Sequence, residues 1–488
     1  MAQEPAQGDK RLAGSLNLFD AIAQSVGFMG PVFSIAFLVP LLVGLTAATG
    51  KGAGTAAPLS VIIAAIGVLG LGWIIAQYAK RIHAAGSLYD YVSDGLGERA
   101  GIACGILYYI GILALAVAIL VMIGGTVHDT LQAEFNVTPL PAIGWDIVLA
   151  VLLAVVLYAG VALSTRVQLT LALISILAVL IFMINVIARA KGGNASDAFS
   201  PSGSPTGWSG VFFGVLYGVL LFTGFETAAN LGEETAHPKR DIPRAILIAV
   251  LAVAGFYVIG SYAQVAGYHF SLDALGKNAG APLFGLAGPT SQGGFGSVAV
   301  RRLLELVVVF DMIAVMIGAS VSAARGLFAL GRDGHLPRAL GKASARNTPL
   351  VASTMVVIAD LVVIAVTQWW NGLFALPQTP HYVAMFSWLA AFGGFALAVI
   401  YLLMSVGALR GLRDHERPWA VRLAAVVGIA VTAGAIYGSI YKVTKPTIYA
   451  PYAALAILVL GLVVSLITAG RGGSFAKTSN SETAKAAR

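Results

Sequence analysis

Charge is scarce in this sequence. Asp, Glu, Lys and Arg make up 11% of its 488 residues, hydrophobic types make up 58%, and mean hydropathy is +0.86. No soluble globular domain has that composition. Cysteine is scarcer still. Cys104 stands alone, which excludes an internal disulfide and a cysteine-based metal cluster. The enzyme signatures His-Glu-x-x-His and Gly-x-Ser-x-Gly are missing. Gly44 and the later Gly50-Lys51-Gly52 are spaced by five residues, one too many for a phosphate loop, with Gly where Ser or Thr is needed. All seven His fall in loops or at the ends of apolar runs, which argues against a buried metal site. The chain reads as a non-enzyme with no cofactor and no metal.

Long apolar runs are what it does have. Twelve approach or exceed the ~18–20 residues that cross a hydrocarbon core. They fall near 16–47, 57–78, 100–127, 143–163, 167–188, 209–231, 245–268, 302–327, 350–368, 382–406, 420–440 and 449–469. The first is too long for a signal peptide and lacks a cleavage pattern, so it is expected to be retained. With the N-terminus inside, 22 Lys and Arg fall on the inner side and 8 on the outer. That asymmetry orients a polytopic chain and predicts both termini in the cytoplasm. The net charge of +8 therefore belongs to membrane topology and signals no nucleic-acid partner. Segment 1–15 reads as a cytoplasmic lead and 471–488 as a disordered tail. Tyr89 and Tyr91 read as interfacial anchors.

Two of these runs are interrupted. In the first, Ser25-Val26-Gly27-Phe28-Met29-Gly30-Pro31 brings a residue without an N–H and two glycines into mid-span. In the sixth, Phe222-Thr223-Gly224-Phe225 is followed by Glu226, an acid at bilayer depth. An ionisable side chain there marks a pathway or binding site by default. Breaks at corresponding places in two halves of a membrane chain point to a transporter's central site. Asp311 and Asp360 are the other acids within spans, with no intramembrane Lys to pair with. Asp311 is open to three readings: cation ligand, attractor of a cationic substrate, or acceptor of backbone and hydroxyl bonds.

The run Gly224-Phe225-Glu226…Glu233-Glu234-Thr235…Pro238-Lys239-Arg240-Asp241-Ile242-Pro243-Arg244 closely resembles the sixth span and following loop of amino acid–polyamine–organocation (APC) superfamily permeases. Ala85-Gly86-Ser87-Leu88-Tyr89-Asp90-Tyr91 resembles the loop after the second span. Gly331-Arg332-Asp333-Gly334-His335-Leu336-Pro337 resembles the end of the eighth. The resemblance implies a LeuT-type fold, all-α and polytopic with about 12 transmembrane helices. Residues 16–208 and 209–408 would form two inverted five-span repeats, and 409–470 two extra spans. It also implies a multi-pass protein of the plasma membrane that moves a small amino acid or amine across the bilayer, with no obligate protein partner.

The site residues follow from that resemblance. Half-helix ends expose N–H groups at one break and carbonyls at the other. Val26, Gly27, Phe28, Met29 and Gly30 would hold a substrate carboxylate. Phe222, Thr223, Gly224 and Phe225 would hold the ammonium, and Ala319 on span 8 would line the pocket. Tyr108 and Glu226 match an inner gate able to switch protonation, and Leu220 stands where relatives carry an outer-gate aromatic. The lysine that many members carry on span 5 is missing: nothing basic lies between 167 and 187, and Ser175 falls about there. Ser175, Ser320, Ser322 and Asp311 form a candidate ion site, which leaves H⁺, substrate exchange and Na⁺ open. Neutral or broad-range amino acids are the expected substrates, with a cationic amino acid or polyamine as the alternative. A channel or receptor would have no use for two central breaks.

Overall fold

The computed structural model describes residues 16–45, 52–82, 84–278, 280–344, 348–369, 375 and 380–469, apart from the side chains of 161–163 and 369. The expected N-terminal segment 1–15 and tail 471–488 lie outside the described residues. Among the described residues the chain is all-α, and its β geometry amounts to two isolated bridges, Leu16–Thr235 and Pro289–Gly296.

Eleven helices there are long and apolar enough to cross a membrane. Numbered by the runs in the sequence, span 1 is Leu18–Val43, span 2 Gly54–Ala79, span 3 Glu98–Phe135, span 4 Ala142–Ala159 and span 5 Ser164–Arg189. Span 7 is Pro238–Gly267, span 8 Val298–Arg332 and span 9 Leu350–Gln368. Span 10 is His381–Gly411, span 11 Pro418–Ile440 and span 12 Tyr449–Thr468. Span 6 is the exception. Its helix Trp208–Leu221 has 14 residues, because the chain unwinds after Leu221 and resumes as a 3₁₀ turn, Thr227–Leu231. Twelve apolar segments therefore yield eleven full-length helices.

Several helices outrun the apolar stretches that announced them. Span 3 continues to Phe135 and is closed by Asn136 in the left-handed region. Span 7 begins at Pro238. Hydropathy reads the thickness of the hydrocarbon, whereas a helix ends where its capping groups allow. The loop after span 2 contains a helix of its own, Leu88–Leu96. Tyr89 and Tyr91 on it are buried, and Tyr91 stacks on Tyr78 with ring centroids 5.1 Å apart, so they are packing residues and not interfacial anchors.

Burial sorts the spans into a centre and a rim. Of the most apolar stretch of each, 83% is buried in span 1 and 78% in spans 3 and 8, but 28% in spans 4 and 12. The rim turns Val151, Val155, Ile181, Val426 and Leu466 outward, an apolar surface suited to lipid. The interior packs through small residues. A Cβ on Gly393 of span 10 would fall 2.8 Å from the Gly111 carbonyl of span 3. Where lipid is as apolar as the side chains, such close backbone approach drives helices together.

Candidate functional site

The two interrupted spans meet in the buried centre. Span 1 opens with Asn17 as N-cap: its side chain accepts from Phe19 and Asp20, and Asp20 returns a bond to the Asn17 N–H. The helix runs to Met29 and stops because Gly30 takes φ 56°, a left-handed angle that disfavours a side chain. Pro31 then starts a second helical run, where its missing N–H costs nothing. A π-type turn, Ser34–Leu38, follows at once, and Gln264 of span 7 donates to the Ile35 carbonyl there, 2.8 Å away.

The breaks are tied side chain to main chain. Ser25 Oγ donates to the Phe225 carbonyl (2.8 Å) and accepts from Ala228 N–H (3.2 Å). Gly224, at φ 106°, lies against Phe28, and a Cβ there would come 2.7 Å from the Phe28 ring. Across span 8, a Cβ on Gly318 would meet Phe28 at 3.0 Å. Phe28 thus stands between the second break, which its ring meets, and span 8, which its Cβ and main chain meet. Gln24 Nε2 donates to the Gly318 carbonyl (2.9 Å), and Gly27 faces Gln168 of span 5. Of the residues expected to hold the substrate, Phe28 meets Gly224 directly, while Gly27 turns to span 5 and Gly30 lies against Val315 and Asp311 of span 8; Ala319 is buried one residue beyond Gly318.

The polar groups at the breaks are already engaged. Gly30 N–H bonds back to the Val26 carbonyl (3.3 Å), and Pro31 has no N–H. The next two donors, Val32 N–H and Phe33 N–H, reach one oxygen, Oδ2 of Asp311, at 3.0 and 2.8 Å. A carboxylate from span 8 thus sits where the sequence reading put the carboxylate of a substrate. At the other break, Tyr257 donates to the Leu221 carbonyl (2.6 Å), and the Phe222 carbonyl accepts from Phe225 N–H (3.1 Å). Of the three readings open for Asp311, the acceptor of backbone bonds is the one observed.

The two residues expected at an inner gate are paired. Tyr108 donates to Glu226 Oε1 at 3.0 Å, both are fully buried, and Tyr401 of span 10 lies beside them. Glu226 Oε2 has no hydrogen-bond partner. Leu220 packs over Gly394 of span 10. The candidate ion ligands are not drawn into one cluster. Ser175 Oγ donates to the Leu171 and Val307 carbonyls (2.8 and 2.6 Å), and Ser322 Oγ accepts from Asn230 Nδ2. Ser320 Oγ is buried without a partner, as are both oxygens of Asp360. Among the described residues no group of three or more His, Cys, Asp or Glu is placed to hold a metal ion.

Sequence reasoning missed a second polar assembly, at the end of the bundle that carries Arg332. Arg325 grips Glu234 through two nitrogens (2.7 and 3.2 Å), and both side chains are buried. Arg332 reaches both oxygens of Glu233 from one nitrogen, Nη1 (2.9 and 2.8 Å), and Glu233 Oε1 also accepts from Ala85 N–H (2.9 Å). Leu16 and Glu234 exchange backbone contacts with the loop that follows (Leu16 N–H to Glu234 O, 2.8 Å; Ala236 N–H to Leu16 O, 2.9 Å). Asp90 and Asp333 complete it. Burial pushes Asp333 up to about 6 against the pull of Arg332, and burial together with Asp333 holds Asp90 well above the usual carboxylate range. The acids and bases were visible as motif letters. Their pairing across about ninety residues of chain was not.

Comparison with known proteins matches the same frame. Residues 16–464 match the family model described as amino acid permease. The branched-chain amino acid permease BcaP of Bacillus subtilis (strain 168) is 25% identical over 376 residues, covering 71% of this chain and 73% of that protein. BcaP of Lactococcus lactis subsp. cremoris (strain MG1363) is 25% identical, with 73% and 76% covered. The methylthioribose transporter of Bacillus subtilis is 26% identical over 421 residues, with 80% and 82% covered.

Proposed function

The chain belongs to the amino acid permease family, and from that premise we propose that it is a secondary active amino-acid carrier working by alternating access around the two breaks. The observation that carries this reading is the junction of Ser25 with Phe225 and Ala228. It fastens two non-helical stretches, some two hundred residues apart, into one buried site. Neutral amino acids are the substrates that fit best, in keeping with the branched-chain permeases it resembles. Residues 16–208 and 209–408 act as the two inverted repeats, with 409–470 as an appended pair.

The orientation follows from the basic residues. The Arg332 end faces the cytoplasm, and the carrier sits in the plasma membrane with both termini inside. The paired Arg325–Glu234 and Arg332–Glu233 then close the cytoplasmic end, and Tyr108–Glu226 forms the gate one layer deeper. Coupling is to protons or to substrate exchange. Ser175 and Ser322 are bonded to separate partners and only Ser320 keeps an uncommitted hydroxyl, which supports this over Na⁺, since Na⁺ favours several converging oxygen ligands. Replacing Na⁺ by choline at constant pH leaves uptake into proteoliposomes unchanged on this reading, while an imposed pH gradient alters it. Collapse of uptake on that replacement would overturn the coupling.

A further inference from the structure

The Val32 and Phe33 N–H groups are the only donors of the first break left over by the backbone. Gly30 N–H is used within the preceding helix, Pro31 has none, and Ser34 N–H returns to the Gly30 carbonyl (2.9 Å). Both leftover donors converge on one oxygen, as they would on an anion at a helix start. The oxygen belongs to Asp311, which is fully buried, and its second oxygen, Oδ1, has no hydrogen-bond partner. The helical run it caps extends from Pro31 through Val43, so the positive end of that run supports the charge.

We propose that Asp311 is a resident stand-in for the substrate's carboxylate, displaced when an amino acid binds, and that a proton taken up by Asp311 at that moment couples transport to H⁺. The proposal deepens the carrier reading above and rests on it. A substrate carboxylate has no free main-chain donor at this break until Asp311 releases Val32 and Phe33. Two carboxylates contending for the same pair of N–H groups in a buried site cannot both stay ionised. The released Asp311, already lacking a partner for Oδ1, accepts a proton from the aqueous side and becomes a neutral acid. The substrate oxygen then accepts the two N–H bonds. No other bond changes, and a zwitterion plus one proton carries a net charge of +1 across.

The surroundings leave that proton on Asp311. Tyr257 of span 7 is the titratable side chain that faces it. Span 1 from Val26 to Ala36, span 5 from 167 to 188 and the short helix Pro282–Ala287 contribute no titratable group. On span 8, Glu305 is bonded to Arg301 (2.9 Å). On spans 3 and 10, Asp129 and Tyr382 bond to each other (2.6 Å). Asp146 of span 4 and Asp360 of span 9 are not among the electrostatic neighbours of Asp311.

The test compares two ligands with one side chain: L-leucine, and 3-methylbutylamine, which is leucine without its carboxylate. Purified protein is titrated with each in weakly buffered solution containing a pH indicator, with binding followed in parallel. Leucine should bind with uptake of about one proton per molecule, and the amine with none. In Asp311→Asn, leucine should bind without uptake. Leucine binding without proton uptake in the native protein, equal uptake with the amine, or full uptake in Asp311→Asn each overturns the proposal. So does binding of the amine alone, which would make Asp311 a permanent substitute for the carboxylate. The native protein decides the matter by itself if the variant does not fold. Failure of every amino acid to exchange across the membrane is a different result, and defeats the carrier reading.

Discussion

Phe28 and Gly224 show how single residues hold the centre. At φ 106° any side chain at 224 is strained by roughly 1–2 kcal/mol, and its Cβ would also press on the Phe28 ring. Gly224→Ala should lower thermal stability and abolish uptake, and Phe28→Ala in the same chain should restore part of the stability. A fully stable Gly224→Ala would mean the contact is not tight. At this scale the sequence was readable where chemistry is local. Pro31, Gly30 and Gly224 announced the breaks, and Tyr108 and Glu226 were expected as a pair and are bonded. For Asp311 the sequence left three readings open and could not choose among them, because its partners are backbone N–H groups nearly three hundred residues away, and main-chain donors leave no letter in a sequence.

Among elements, the buried ion pairs at the Arg332 end carry the clearest consequences. Removing one partner of a buried pair leaves an uncompensated charge and costs about 3–5 kcal/mol. Glu234→Gln strands Arg325, and Leu16 and the loop after span 6 are tied to residue 234 through its backbone alone. The variant should open this end more often, read as faster labelling of cysteines introduced along the facing walls of spans 6 and 8. Labelling no faster than in the parent would separate the pair from gating. The acid Asp333 gives a pH signature. Its pKa lies above the ordinary 3.8, near 6, so the folded state holds a proton that the unfolded state has lost between those values. Stability should therefore fall as pH rises through about 4 to 6, and Asp333→Asn should shallow that slope, with Asp90 supplying the remainder. A slope unchanged in the variant would assign it elsewhere. None of this was legible from periodicity, which placed the spans but could not say which loop charges would be buried together.

The whole molecule was the most legible level. Eleven of twelve apolar runs became full-length helices, and the twelfth was shortened by the break that its own Thr223-Gly224-Phe225 had marked. The helices' true ends escaped, since hydropathy sees the bilayer and not the caps. Orientation rests on the excess of Lys and Arg on one side. Reporters fused to the two termini should both be active in the cytoplasm, and activity on opposite sides would break the arrangement. The carrier itself is tested most directly by counterflow. Proteoliposomes loaded with unlabelled leucine and diluted into a trace of labelled leucine should accumulate label transiently above the outside concentration, since a site open to one side at a time exchanges one molecule for another. Label that only equilibrates, with no overshoot for leucine or any other amino acid tried, would contradict alternating access at these two breaks.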